Sequence, residues 1–281
     1  MTVRPEFVAR DAETIASDQV ADWEGFTGKT LYPAQVERLL IDLLSYRETL
    51  TRQAIQETGE QNLLSFALGD ALDALAELLG ASRLSVSEEV DGSTVVTTET
   101  DEAFRARLLL AASRAACGTL ETWRYYAMSV SPHLIDIGIE VPEPGRVLVY
   151  PLADSGPADA ALLTQVRTQL NDSAIRPLTD EVVVIAPTAV VLSATVSLIV
   201  SRRYVVAEVV TAAQTVLTAF SAARARVLGV DLRREHISAV VLAVSGVIGV
   251  LSLPAELDRV LTVGEVLEGT FTAALGEVRD G

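Results

Sequence analysis

The feature of the sequence that most restricts the fold is a pair of leucine-rich segments in the first third of the chain. Apolar residues recur at helical spacing over 36–50, after Pro33, a residue favoured in the first turn of a helix. A second apolar stripe covers 63–79 and is followed by Gly80, a common helix stop. The sequence therefore predicts two helices whose stripes are broad enough to be covered on more than one side.

Most of these leucines are expected to form the core of an N-terminal helical domain, against which a segment around 15–26 also packs. Three helices make a poor independent core, because so small a unit buries little apolar surface. We therefore expect part of the leucine surface to contact a partner helix.

The sequence changes character at 85–100, which is polar and lacks a helical period, so that we expect a linker or extended loop there. Beyond it, helix and strand patterns alternate. Thr119 is a candidate helix cap, and Pro-Glu-Pro-Gly at 142–145 indicates a hairpin. We expect helices over 101–118, 158–170, 205–228 and 237–244, strands over 134–141, 146–152, 182–185, 190–200 and 247–253, and either a strand or a short helix over 261–268.

These patterns predict an α+β chain, with an N-terminal helical domain followed by two tandem small α/β units, each a sheet covered by helices. The predicted boundaries are a helical domain at 1–84, a linker at 85–100, a first α/β unit at 101–188 and a second α/β unit at 189–281.

Charge and hydropathy exclude two classes of partner. The chain has 38 acidic and 22 basic residues, a net charge of −16, which repels the phosphates of nucleic acid. The uncharged stretches 182–200 and 237–254 are broken by Pro187 and by glycines, whereas a spanning helix needs roughly 20 unbroken apolar residues. We expect neither nucleic-acid binding nor membrane insertion.

Residues that carry chemistry are sparse. The chain has two histidines, His133 and His236, and one cysteine, Cys117, with no phosphate-binding glycine loop, zinc-protease motif or nucleophile elbow. The acidic pairs lack the spacing of a calcium loop. We predict no catalytic residue, no metal site and no cofactor, and a structural role for the protein.

Several segments, taken in order, resemble the baseplate J family of contractile phage tails. The resemblance covers almost the whole chain, although no single motif is specific, and only 85–100 stands where larger members carry a β-rich insertion. The matching segments include Thr30-Leu-Tyr-Pro-Ala-Gln-Val-Glu-Arg-Leu-Leu, Gln61-Asn-Leu-Leu-Ser-Phe-Ala, Asp101-Glu-Ala-Phe-Arg-Ala-Arg, Gly118-Thr-Leu-Glu-Thr-Trp-Arg, Arg176-Pro-Leu-Thr-Asp and Gly246-Val-Ile-Gly-Val-Leu-Ser-Leu-Pro.

The resemblance implies a wedge subunit of the baseplate, present in the virion and assembled in the cytoplasm of a bacterial host. In such assemblies two copies occur in each wedge, and six wedges close a ring around a central hub. The implied partners are a second copy, neighbouring wedges, other wedge proteins through the N-terminal helices, and the sheath-initiating baseplate protein. The implied function is to hold the sheath before contraction and to relay the trigger.

For the helical bundle with other wedge proteins we predict a set of five leucines, and for a charged contact the two arginines between a strand and the long helix. These residues are Leu39, Leu43, Leu64, Leu68, Leu72, Arg202 and Arg203. Two alternatives stay open at this point. One is a tail-associated cell-wall hydrolase, which requires a convergent polar cleft, and the other is a stand-alone oligomeric scaffold.

Overall fold

A computed structural model of the chain describes residues 3–90, 93–111 and 118–280. It divides into two compact units, the first ending at Ser82 and the second beginning at Arg83. Each unit is described by itself. Helices and sheets both contribute, with the helices first, so the predicted α+β class is confirmed.

Unit 1 contains three helices, α1 (Ala12–Thr27), α2 (Val36–Gln61) and α3 (Gly69–Leu78). Asp11 caps α1 by accepting a hydrogen bond from the Thr14 N–H at 2.8 Å. The second apolar stripe is not one helix, because 62–68 form turns and extended backbone. Gly69 has φ +50°, a conformation outside the helical region, so α3 starts only at this residue.

Unit 2 begins with a β-hairpin where the sequence indicated a linker or loop. Strands β1 (Ser85–Val90) and β2 (Ser93–Thr98) pair antiparallel along their whole length. The sequence signal was the dipeptide Asp-Gly at 91–92 between β-branched residues, which is typical of two-residue hairpins, although 91–92 lie outside the described residues. At the base of the hairpin, buried Glu99 forms a bidentate pair with Arg107, at 2.7 and 3.0 Å.

Arg107 lies on α4 (Asp101–Ala111), the first helix of an α/β arrangement. Its sheet has β4 (Arg146–Ala153) at the centre, antiparallel to β3 (Leu134–Glu143) and β5 (Gly156–Pro157) and parallel to β6 (Glu181–Val184). Trp123, Ile137 and Val149 belong to the core between this sheet and its helices. The remaining elements are α5 (Leu120–Met128) and α6 (Ala160–Leu170).

A further sheet has three strands, in the order β8 (Val247–Val250), β7 (Thr188–Ser201) and β9 (Glu265–Arg279). Its long pair, β7 and β9, is parallel and continuous except for one register shift. Of the two structures left open for the last apolar segment, a strand is therefore correct, although it begins later, at Glu265. Between these strands the chain forms α7 (Val206–Arg224), α8 (Arg234–Leu242), β8 and a short 3₁₀ turn (Ala255–Leu257).

The four-stranded and the three-stranded sheet of unit 2 are joined by a small apolar cluster around Leu152, Leu228 and Val266. Beside it, the Leu228 N–H donates to Asp136 Oδ2 at 2.9 Å. Leu198, Leu217 and Phe271 lie in the larger core of the three-stranded sheet. Unit 2 thus has an apolar interior that runs from one sheet to the next.

Candidate assembly surface

The most unusual surface in unit 1 is the outward face of α2. Its leucines, spaced three, four and seven residues apart, form one stripe along the helix, because 3.6 residues complete a turn. Leu39 is 64% and Leu43 is 54% exposed. The other large apolar residues of α2 that are half exposed or more are Val36, Leu40, Leu44, Tyr46, Leu50 and Ile55. We call Val36, Leu39, Leu40, Leu43, Leu44 and Leu50 the leucine face.

The inward face of α2 is largely polar. Its buried residues are Ile41, Ser45, Gln56 and Glu60. Ser45 follows Leu43 by two positions and so points about 200° away from it around the helix. The Ser45 hydroxyl donates to Gln19 Oε1 of α1 at 2.8 Å, and Gln19 in turn donates to Glu48. The α1–α2 pair is therefore joined by side-chain hydrogen bonds at a place where helix pairs usually bury apolar residues.

The segment before α1 is bound to the same polar face. The Gln56 amide donates to the Pro5 carbonyl at 2.7 Å, and its Oε1 accepts from the Phe7 N–H at 2.9 Å. Arg4 pairs with Glu60 at 2.6 Å. Gln56 and Glu60 are thus satisfied by partners on a segment about fifty residues away in sequence, which removes most of the cost of burying them.

Two glutamates of α2 have lowered pKa values. Hydrogen bonds from Arg52 and then from Gln19 hold the pKa of Glu48 below its ordinary value. Hydrogen bonds from Gln56 and then from Arg4 lower the pKa of Glu60 in the same way. Both carboxylates are therefore stabilised in the ionised form that the network requires.

The polar inner face leaves the leucine face without cover in unit 1. Burying one leucine side chain contributes roughly 1.5–3 kcal/mol, so several adjacent exposed leucines represent a large unused driving force for association. A contiguous apolar patch of this kind on a folded chain marks an interaction site. Seven-residue spacing along one helix is the pattern that a second helix covers best.

The structure places the five predicted leucines in three different environments. Leu39 and Leu43 lie on the leucine face, as described. Leu68 is 56% exposed in the turn before α3, and Leu64 is half-buried. Leu72 is fully buried, so its assignment to a surface for partners is wrong: its side chain forms part of the interior of this chain.

Arg202 and Arg203 lie in the turn between β7 and α7 and are both exposed. The Arg202 guanidinium is 3.4 Å from Asp280, and the backbone N–H of Arg202 donates to the carbonyl of Arg279 at 2.9 Å. An ion pair this exposed contributes little to stability. Their role in a charged contact with a neighbour stays a prediction.

Several side chains are of types that could take part in catalysis or bind a metal. His133 Nδ1 lies 2.9 Å from Asp154 Oδ2, at a cavity of about 460 Å³ that Ser131, Ser155 and Asp159 also line. The sequence did not indicate that His133 and Asp154 lie together, because they are 21 residues apart. His133 directly precedes β3 and Asp154 directly follows β4, and these two strands are neighbours in the sheet. Within the described ranges, no group of three His, Cys, Asp or Glu side chains is placed to hold a metal ion. Cys117 lies outside the described residues.

Among the residues that the structure describes, one helix, α7, is long and apolar enough to cross a membrane by length and composition. It nevertheless makes specific contacts with its own sheet: Gln214 donates to the Phe271 carbonyl at 3.1 Å and accepts from the Ala273 N–H at 2.8 Å. Val209, Ala213 and Leu217 are buried beside them. These contacts are those of a helix that packs on a sheet.

Comparison with known proteins gives matches over both units. The baseplate J-like N-terminal domain matches residues 36–89, and the baseplate J-like central domain matches residues 115–186. Baseplate protein J of Escherichia phage P2 is 30% identical over 152 residues, which are 52% of this chain and 50% of that protein. The chain thus spans about half the length of this curated relative.

A solved structure, the baseplate of the anti-feeding prophage determined by cryo-EM with sixfold symmetry, contains a chain with 17% sequence identity and a TM-score of 0.43. The similarity covers 66% of this chain and 47% of that one. The N-terminal domain match begins at residue 36, which is also the first residue of α2 and of the leucine face.

Proposed function

We propose that this chain, whose residues 36–89 and 115–186 match the baseplate J-like N-terminal and central domains, is a structural subunit of the baseplate of a contractile phage-type tail. In this proposal it acts as a wedge protein: with other wedge proteins it forms the ring around the central hub and relays the trigger for sheath contraction. Its location is then the tail baseplate of the virion, and its role is mechanical.

The observation that carries the proposal is that α2 buries polar residues and exposes its leucines. A helix that satisfies its polar face within its own unit and turns its leucines outward is suited to receive another apolar helix. Other wedge proteins are the proposed source of that helix. Unit 2, which has its own apolar core, is proposed to contact neighbouring copies in the ring.

The test is co-purification of the chain with the other baseplate proteins encoded beside it. We expect the double substitution Leu39→Asp and Leu43→Asp to abolish co-purification, because binding would then bury two unpaired charges. The free chain should stay folded, since both side chains are already exposed to water. Retention of unit 2 structure is checked by the fluorescence of Trp123, which is 2% exposed.

The matched controls place the same charge on leucines that are more exposed but lie elsewhere. Leu78 at the end of α3 is 83% exposed, and Leu178 in unit 2 is 96% exposed. Leu78→Asp and Leu178→Asp should co-purify like the unmodified chain. Normal co-purification of the Leu39→Asp, Leu43→Asp variant would sink the assignment of α2 to a helical bundle.

A further inference from the structure

Two strand edges in unit 2 lack a neighbour within the described part of the chain. The first is on β7. Ser197 accepts a hydrogen bond from the Leu251 N–H at 2.8 Å, and the Ser201 N–H donates to the Gly246 carbonyl at 2.8 Å, so the odd-numbered residues of β7 face β8. The even-numbered Thr188 donates instead to Gly264, next to β9.

β8 pairs only with the end of β7, from Leu198 to Val200. Before that point, Val191, Ser193 and Thr195 turn their backbone N–H and C=O groups to the same side, by the alternation of a β ladder. β5 comes close to the start of β7, but no strand pairs with this stretch among the described residues. Val191 is 71% exposed, and Ser193 and Thr195 are exposed as well.

The second edge is on β2. The Glu99 N–H donates to the Leu84 carbonyl at 2.9 Å, so these two residues form a hydrogen-bonded pair of the hairpin. Every second pair bonds in this way in an antiparallel ladder, and the groups of Thr94, Val96 and Thr98 therefore point away from β1. Val96 is 59% exposed, in keeping with an uncovered edge.

Both edges lack the usual protection against pairing with other chains. Folded proteins guard exposed edges with charges, proline or bulges. β7 has no charged residue and no proline from Thr188 to Ser201, and β2 has none from Ser93 to Thr98. β1, by contrast, carries a charged residue, the exposed Glu89. An unguarded edge is tolerable where a partner strand covers it in the working assembly.

The hairpin itself is suited to donate a strand. A two-stranded hairpin is marginally stable alone, because it has little apolar surface to bury. The bidentate pair between Glu99 and Arg107 fixes its base to α4, while Val95 and Val96 on β2 stay exposed. A third strand beside β2 would make a three-stranded sheet with two hydrogen-bonded ladders and cover part of this valine surface.

We propose that β2 of one copy pairs with the open edge of β7 in a second copy, by addition of a strand. The two edges match in length, with three outward residues each, and in chemistry, since both are β-branched or small and uncharged. The contact is heterologous, because each copy offers two different surfaces, and it therefore links copies head to tail as a ring requires. Neither edge belongs to the leucine face, so this contact and the proposed helical bundle stand or fall separately.

The test uses proline, which removes an N–H, at an outward position of each edge. Val96→Pro and Ser193→Pro delete groups that take no part in the ladders within the chain, and edge positions tolerate proline. Val96→Thr and Ser193→Thr keep the N–H and are the matched controls. Far-UV circular dichroism checks that all four variants of the full chain are folded.

Sedimentation velocity over a range of concentrations then reports self-association. We expect the unmodified chain and both threonine controls to associate, and each proline variant to be monomeric. A mixture of Val96→Pro and Ser193→Pro chains should give a one-to-one dimer and nothing larger, because each chain supplies the edge that the other has lost.

Three results would overturn strand addition between copies. The first is a monomeric unmodified chain at every concentration. The second is association that persists in both proline variants; if Leu39→Asp, Leu43→Asp abolishes it, the leucine face is responsible. The third is loss of association in only one proline variant, which indicates that one edge pairs with its own counterpart.

Discussion

In α2 the buried side chains are Ile41, Ser45, Gln56 and Glu60, whereas in α7 they are Val209, Ala213 and Leu217. Both helices are long and both pack against other elements of their own unit. α7 places its apolar residues inward and threonines such as Thr211 outward, as a helix on a sheet does. α2 does the opposite, so the periodicity of a stripe does not reveal which way the stripe faces.

The difference concerns how the apolar face of each helix is covered. The core of unit 2 is completed within one chain, because the buried apolar residues of its helices and sheets pack against each other. The α1–α2 pair is joined by Gln19 and Ser45, and its leucines stay exposed, where in our proposal another molecule covers them. Hydrogen bonds hold this pair with less free energy than an apolar core provides, since each contributes only about 0.5–1.5 kcal/mol.

The largest expected effect is a difference in stability between alanine substitutions at two leucines, one in α7 and one in α2. Leu217→Ala removes a fully buried side chain of α7 and should lower the free energy of unfolding of unit 2 by about 2–5 kcal/mol. Leu43→Ala, in α2, should change stability by less than about 0.5 kcal/mol. Urea unfolding followed by tryptophan fluorescence measures both values, in a Trp23→Phe background for unit 2 and in a Trp123→Phe background for unit 1. A similar cost for Leu43→Ala and Leu217→Ala would mean that the leucine face is a core surface.

A smaller effect is expected from the polar network. Gln56→Ala removes the bonds to Pro5 and Phe7 and leaves buried groups without partners, at a cost of about 1–3 kcal/mol. Gln53→Ala, one turn away, removes only exposed side-chain hydrogen bonds, including one from Arg10, and is the control, with a smaller expected effect. Hydrogen exchange at the Phe7 amide reports the loss directly. Unchanged protection of that amide in Gln56→Ala would show that the network does not hold the segment.

The smallest effect is a dependence on pH. Because the pKa values of Glu48 and Glu60 are lowered in the folded chain, their contribution to stability is fully present above 4.5, the ordinary value. It is lost as the pH falls through the lowered folded values. Trp23 fluorescence should therefore report loosening of α1 in acid, and Glu60→Gln should reduce this dependence. An identical acid transition in Glu60→Gln would contradict the role of this carboxylate.

Much of unit 2 could be predicted because its local signals and its packing agree. Thr119 caps α5 by accepting from the Thr122 N–H at 3.2 Å, and the strands on either side of Pro-Glu-Pro-Gly pair as expected. The β-branched content of β7 favoured a strand, and the buried residues lie in the second half of this strand. The buried residues of that strand, Val196, Leu198 and Val200, alternate with outward ones, as the period of a strand requires.

Less of unit 1 and of the candidate surface could be predicted. The apolar period identified α2 and its stripe, but burial of Ser45, Gln56 and Glu60 depends on partners far away in sequence, such as Arg4 and Gln19. Leu72 has the same composition signal as Leu68, and only the start of α3 at Gly69 separates the buried residue from the exposed one. The hairpin of β1 and β2 was missed because its polar composition outweighed its turn signal.

The central claim is that the leucine face is open in the free chain and covered in the assembled baseplate. Hydroxyl-radical footprinting of both forms, read by mass spectrometry, measures this exposure directly. We predict strong oxidation of Leu39, Leu40, Leu43 and Leu44 in the free chain and protection in the baseplate, with Leu198 protected in both. Protection of the four leucines already in the free chain, or oxidation in both forms, would contradict the account.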